Sequence, residues 1–453
     1  MPDIMGKEAV DRMPVIISQQ TGAQLLGIPK IQSGTGVAMA EAILQLLVEW
    51  NVADKIVGMS FDTTSTNTGH TNGACSLLEK SLGKRLLWLA CDHHVYEIML
   101  RTAFESKFGQ SSAPTVPMFE RFQKEWKNID KTKYQPGVSD PIIRDSLKDV
   151  ADDLIQFCKH NIKKEFVRAD YKEILHLTLI FLGSDGKNEE DDGDENVTFL
   201  DPGQTSQARW MSKLLYVLKI CLFRSEFSLS SHQADSIRDL AIFIVRIYVK
   251  TWTLCSIPTA APRVALNFIK NVRAYEKIDK KLSLAVLDKM RRHLWYLGEE
   301  TIALSLFDDG VSDAEKNEMR VSLLSQPECD ESTSVVRPIV SATQMKPLCE
   351  YELHEFITEN TMNFFQRFDI SIDFLQKNPS EWNQITEYKN AKEMLSKLQV
   401  VNDFSERSVK LMKDFNRSIT KDEETKQFLL QAVSNYRQKY PGHSKSLLEQ
   451  EKY

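Results

Sequence analysis

Apolar residues follow two rhythms along this chain, and the change from one to the other falls near residue 110. Ahead of that point, short apolar or β-branched runs alternate with segments of helical period. PVIIS (14–18) and QLLGIPKI (24–31) are bounded by polar or glycine residues and predict strands. GTG at 34–36 opens a stretch in which Val37, Met39, Ala40, Ile43, Leu46, Leu47 and Trp50 recur at helical spacing, so a helix is expected over 37–50. KIVGMSF (55–61) predicts a strand that stops at Asp62. A helix starting near Gly73 should place Ala74, Leu77, Leu78 and Leu82 on one face, and RLLWLA (85–90) predicts another strand, stopping at Cys91. From His94 the period is helical again. The order strand, strand, helix, strand, helix, strand, helix predicts an α/β layer with helices packed on a mostly parallel sheet.

Beyond residue 110 nearly every periodic segment is helical, among them PMFERFQKEW, DYKEILHLTLIFLG, ARWMSKLLYVLKICLF and DLAIFIVRIYVKTW. The run DGKNEEDDGDEN (185–196) holds seven acids and one Lys; self-repulsion and the lack of apolar residues predict a solvated surface loop. After Ser341 helical period returns in YELHEFITENTMNFFQRF, AKEMLSKLQVVNDFSERSVKLMKDF and TKQFLLQAVSNYRQKY. No repeat of fixed period is present.

Composition narrows the classes. With 453 residues, 42% hydrophobic and 26% charged, the chain can bury a sizeable core in two or more domains, or in one domain with a large insertion. A formal charge of −6 argues against a whole-molecule electrostatic grip on nucleic acid and leaves room for a local basic face. Seven cysteines, Cys75, Cys91, Cys158, Cys221, Cys255, Cys329 and Cys349, are scattered without a CxxC pair; free thiols in a reducing compartment suit that pattern. The opening MPDIMGKEAVDR has no signal-peptide h-region, and no apolar run approaches a membrane span. An intracellular location, nuclear ahead of cytoplasmic, is expected.

Two strand ends carry the candidate chemistry. A lone Asp after a strand is ordinarily a turn former or helix cap. At the carboxyl end of a parallel strand, however, Asp62 would face the crevice where ligands bind, and grouped carboxylates there hold Mg²⁺ or Mn²⁺. Cys91 and His94 have CxxH spacing, but a zinc site needs four protein ligands or three and water, and no second Cys or His pair lies nearby. Structural packing is the expected role of both.

Taken together, SFDTTSTNTGHTNGACSLLE and LLWLACDHHVYEIML resemble the catalytic domain of hAT-type DNA transposases, and more closely a group of transposon-derived proteins with that domain. The resemblance implies a ribonuclease-H-like mixed sheet interrupted by a large helical insertion. The expected layout is 1–109 as the first part of that domain, 110–289 as the insertion with its acidic loop, 290–330 as the closing part and 340–453 as a helical C-terminal region. ARWMS (208–212) is similar to the family's Arg-Trp-x-Ser element, which implies that Arg209 and Trp210 contact nucleic acid, Trp210 by stacking on an unpaired base. By period alone Trp210 is a core aromatic, since Leu214, Leu215 and Leu218 follow at helical spacing. Lys213 and Lys219 are expected to support DNA binding beside it.

The chemistry implied is two-metal phosphoryl transfer by three carboxylates. Asp62 would be the second and a metal ligand. The third is sought in HLWYLGEETIALSLFDD, where Glu299 and Glu300 open an apolar helix and are expected to return beside Asp62; the alternative for both is a Glu favoured in a first helical turn. The first should end the opening strand, yet MPDIMGKEAVDRM has no strand pattern and offers only Asp3 and Asp11. The expectation is therefore a truncated, transposase-derived protein in which Mg²⁺ or Mn²⁺ is not productively bound and no enzyme activity remains. DNA is its weak partner, a protein or a second copy of the chain are the other partners considered, and no membrane is involved. The readings set against it are a domesticated protein-interaction scaffold and an active metal-dependent strand transferase.

Overall fold

The computed structural model describes residues 11–19, 22–109, 116–164, 168–184, 197–203, 210–327 and 339–401, with 422, 425, 426, 428–430 and 432. The chain forms two compact units, one drawn from 1–91 and 397–453, the other from 92–396. The first is α/β, and every regular element among the described residues of the second is a helix, so the protein is a mixed α/β and all-α chain.

In the first unit β1 (Asp11–Arg12) pairs antiparallel with β4 (Lys30–Ile31), and β2 (Val15–Gln19) pairs antiparallel with β3 (Gly22–Gly27). Only two residues separate β2 from β3, too few for the crossover that a parallel pair needs. β5 (Gly58–Phe61) and β6 (Leu87–Ala90) are parallel, in register from Gly58 opposite Leu87 to Phe61 opposite Ala90. Among the described residues the strands pair two by two. The expected mostly parallel sheet therefore reduces to one parallel pair beside two antiparallel ones. The opening segment, expected to lack a strand, contributes β1. Backbone pairing with the distant β4, rather than an apolar pattern, forms it, and buried Arg12 adds a bond from Nη1 to the Ile28 carbonyl at 3.0 Å.

This unit also holds α1 (Gly36–Glu49), the single turn α2 (Ser65–Thr68) and α3 (Ala74–Leu82), and residues 425, 426, 428–430 and 432 are helical too. The expected apolar faces meet, with Ala40, Ala74 and Leu78 buried among Met39, Ile43, Leu44, Leu77 and Met59 of β5. The glycine of C-cap Gly83, at φ +64°, ends α3 in the left-handed conformation that residues with a Cβ resist.

The second unit starts with α4 (Asp92–Phe108), α5 (Pro117–Glu125), α6 (Pro141–Leu147), α7 (Ala151–Asn161) and α8 (Ala169–Phe181). It continues through α9 (Trp210–Leu222) and α10 (Ser231–Phe243), which runs by a π turn into α11 (Val249–Leu254), then α12 (Ala261–Ala274) and α13 (Lys280–Met290). Its interior is aromatic: Phe119, Phe122 and Tyr216 pack together, and Trp126, Phe223 and Phe227 extend the cluster. The apolar run after Glu300, expected as an α-helix, is a 3-10 helix over Thr301–Phe307 with all seven residues buried. With every residue buried, the run has no exposed face whose period could mark its helix type.

α14 (Asp313–Leu324), α15 (Ala342–Leu348), α16 (Met362–Arg367), α17 (Pro379–Trp382) and α18 (Thr386–Leu395) belong to the same unit. Capping boxes at Ser312 with Glu315 and at Ser341 with Gln344 set the starts of α14 and α15. YELHEFITENTMNFFQRF, expected to be helical, is so in short pieces, two 3-10 turns followed by α16. Among the described residues no helix is long and apolar enough to cross a membrane.

Candidate functional site

The two apolar runs end side by side, as their pattern predicts. The Cys91 N–H donates to the Phe61 carbonyl at 2.8 Å, carrying the β5–β6 pairing one step past the ladder. Asp62 follows directly and is half-buried. Its Oδ1 accepts from the Thr64 N–H at 3.1 Å, the Thr64 hydroxyl at 2.6 Å and Asn67 Nδ2 at 2.9 Å. That is an Asx turn, which shapes the chain into α2. The small-polar run of the sequence is thus a folded turn with its own hydrogen bonds.

Glycines make that turn compact. A Cβ on Gly36 would run into the backbone of Asn72 and lie 2.6 Å from the Thr66 carbonyl oxygen; one on Gly73 would meet the backbone of Gly69 and, at 2.7 Å, the Asn67 carbonyl. The start of α1 and the turn after Asp62 are therefore pressed backbone to backbone. Thr35 caps α1 by accepting from the Ala38 N–H at 3.4 Å.

Cys91 is buried, as a structural role requires. Its neighbours in sequence, Asp92 and His93, are both 3% exposed. The His93 ring stacks on Trp252 with centroids 4.1 Å apart and meets Tyr171 edge-on at 5.3 Å. Burial pushes the Asp92 carboxyl well above the usual carboxylate range. His94 lies on the first turn of α4 and helps, with Lys289 and Arg292, to depress His293, which burial chiefly drives down to about 4. The described cysteines are all buried free thiols; Cys329 lies outside the described residues.

Glu299 and Glu300 belong to the second unit, and both have protein partners. Glu300 is 5% exposed; Arg367 grips it with Nε on Oε2 at 2.8 Å and Nη2 on Oε1 at 2.9 Å. Glu299 Oε2 accepts from Asn360 Nδ2 at 2.9 Å, and burial raises its carboxyl. Arg367 and Asn360 are the functional partners that sequence reading missed. The available signal was a lone Arg inside the aromatic run NFFQRF, where a charge needs a counter-charge.

Trp210 opens α9, and Arg209 lies outside the described residues. Lys213 and Lys219, expected to support DNA contact, are 8% and 1% exposed. Lys219 Nζ sits 2.6 Å from Glu173 Oε1 and donates to the Leu200 carbonyl at 2.7 Å. That expectation is corrected: α9 is enclosed on nearly all sides from Lys213 to Leu222, so its lysines face the interior. Of the candidates for the first carboxylate, Asp11 is exposed on β1 and Asp3 lies outside the described residues.

Within either unit, no group of three or more His, Cys, Asp and Glu among the described residues is placed to hold a metal. Asp62 offers one oxygen outside its turn, Oδ2. Glu300 offers none, because both its oxygens are engaged by Arg367. Glu300 so engaged does not fit the role of a Mg²⁺ or Mn²⁺ ligand, which requires an open carboxylate oxygen. Comparison of the whole chain with protein-family models, curated proteins and solved structures finds no match.

Proposed function

We propose that this chain derives from an hAT-type DNA transposase, that its α/β unit is what remains of a ribonuclease-H-like domain, and that it has lost metal-dependent cleavage while keeping weak contact with DNA. The observation that carries the reading is the parallel β5–β6 pair, which ends at Asp62 and Cys91 on adjacent strands. A ribonuclease-H-like layer needs that placement for its second carboxylate. The engagement of Glu300 by Arg367 and of Asp62 Oδ1 by its turn supports the loss of cleavage.

The test uses the purified full chain with single-stranded and hairpin DNA, in Mg²⁺ and in Mn²⁺. Expected are salt-sensitive weak binding, reduced by Trp210→Ala, and no strand cleavage or transfer above background. Metal-dependent cleavage abolished by Asp62→Ala would restore the active strand transferase. One observation favours a second reading, an interaction scaffold without nucleic-acid function: burial of Lys213 and Lys219 removes the basic face expected on α9. DNA binding that is absent, or unchanged in Trp210→Ala, puts the scaffold ahead.

A further inference from the structure

We infer that Glu300, buried, and Glu299, half-buried, are counter-groups for the C-terminal part of the second unit, with Arg367 and Asn360 as their respective partners in place of a divalent cation. The transposase reading enters only in choosing these two residues; the inference itself rests on geometry.

The Thr301–Phe307 run is held at both ends by residues from 339–396. At its start Arg367 and Asn360 engage Glu300 and Glu299. At its end the Tyr388 hydroxyl donates to the Leu306 carbonyl at 2.8 Å, and the Tyr388 ring stacks on Phe307 with centroids 5.1 Å apart. Phe307 also meets Phe374 at 5.7 Å, and Lys392 pairs with Asp309 just beyond. The two carboxylates therefore belong to a clamp that joins two stretches distant in sequence.

Charge explains why the clamp and a cation exclude each other. The guanidinium fork takes both Glu300 oxygens with the acid 6% and the Arg 14% exposed at the side chain. A dication at Glu300 would have to break two charge-assisted hydrogen bonds and leave a buried guanidinium beside it without its counter-charge. A fully exposed Glu in a first helical turn would face no such conflict.

The experiment measures urea unfolding and Mn²⁺ binding, the latter by electron paramagnetic resonance, on the full chain and on Glu300→Gln, Arg367→Gln, the double variant and Arg367→Lys. Each Gln variant should lower the folding equilibrium constant by roughly 100-fold or more, the range for breaking one side of a buried pair. The double variant should lose less than the two single losses combined. Arg367→Lys should lose an intermediate amount, because an ammonium cannot form the fork. Mn²⁺ binding should be the same in Glu300→Gln as in the parent. Parent-like stability of Glu300→Gln, or weaker Mn²⁺ binding by it, overturns the inference. If Glu300→Gln does not fold, Arg367→Lys decides: reduced stability supports the clamp and parent stability refutes it. Mn²⁺ binding that depends on Glu300 would sink the clamp while strengthening the transposase reading, whereas the Trp210 experiment bears on that reading alone.

Discussion

Lys219 and Glu173 form an ion pair at 2.6 Å with their side chains 2% and 9% exposed. Burial acts on both against the charged form, lowering the Lys219 ammonium and raising the Glu173 carboxyl, while each partner's charge opposes that shift. The pair joins α8 to α9 and, through the Leu200 carbonyl, holds the segment 197–203 against them. Glu173→Ala should therefore cost about 3 to 5 kcal/mol in urea unfolding, since it strands a buried ammonium. Glu173→Leu with Lys219→Met should recover most of that loss, because desolvation of two charges offsets much of their attraction. Equal losses in the single and double variants would show that packing, not charge, sets the cost.

The glycines around the Asp62 turn give a sharper contrast. Gly36→Ala and Gly73→Ala each drive a methyl into backbone atoms that cannot move as a side chain would, and each should destabilise the chain by roughly 2 kcal/mol or more. Gly34, two residues before α1, has nothing within 4 Å of a built Cβ. Gly34→Ala should fall between neutral and about 1 kcal/mol stabilising, through the unfolded state. Thermal unfolding of the three variants ranks them, and a Gly36→Ala protein as stable as Gly34→Ala would contradict the close approach.

Acid should loosen the second unit through His293. Its folded-state value is about 4, below the roughly 6.5 expected in the unfolded chain, so the unfolded chain takes up the proton first as pH falls. Stability is intact above about pH 6.5 and is lost by about 3 kcal/mol on acidification toward pH 4. Burial is the main cause, and the neighbours that add to it are Lys289 on α13, Arg292 just past it and His94 on α4. His293→Leu should flatten the slope between pH 7 and 4.5 in urea titrations. An unchanged slope would assign the acid response to other groups.

Asp92 works in the opposite sense. Burial raises its carboxyl well above the usual range, so the folded state holds a proton that the unfolded chain releases near pH 3.9. Its contribution is largest below that value and is lost as pH rises. Tyr96, one turn along α4, faces it and is itself raised, by burial first and then by Asp92; Asp92 Oδ2 has no hydrogen-bond partner. Asp92→Asn should therefore be more stable than the parent at pH 8, with the gap closing toward pH 4. A variant less stable than the parent at pH 8 would mean that the folded protein carries Asp92 ionised.

Sequence period was sufficient wherever an element is amphipathic or bounded by turn residues. β2, β5, β6, α1 and α3 overlap the segments where apolar runs or helical spacing place them, whereas the single strand expected over 24–31 divides into β3 and β4 on either side of Ile28 and Pro29. The adjacent ends at Asp62 and Cys91 were legible for a related reason: a helical connection between two short apolar runs favours parallel neighbours. Tertiary packing decided what local pattern does not encode. β1 exists because its backbone pairs with the distant β4, and the 3-10 form of the buried Thr301–Phe307 run is not written in its apolar pattern. The candidate carboxylates show the limit most clearly. Glu299 and Glu300 could be read as acids opening a helix, but their partners Asn360 and Arg367 stand 61 and 67 residues further on. A charge's role depends on what lies within a few Å of it, and only the folded chain brings those groups together.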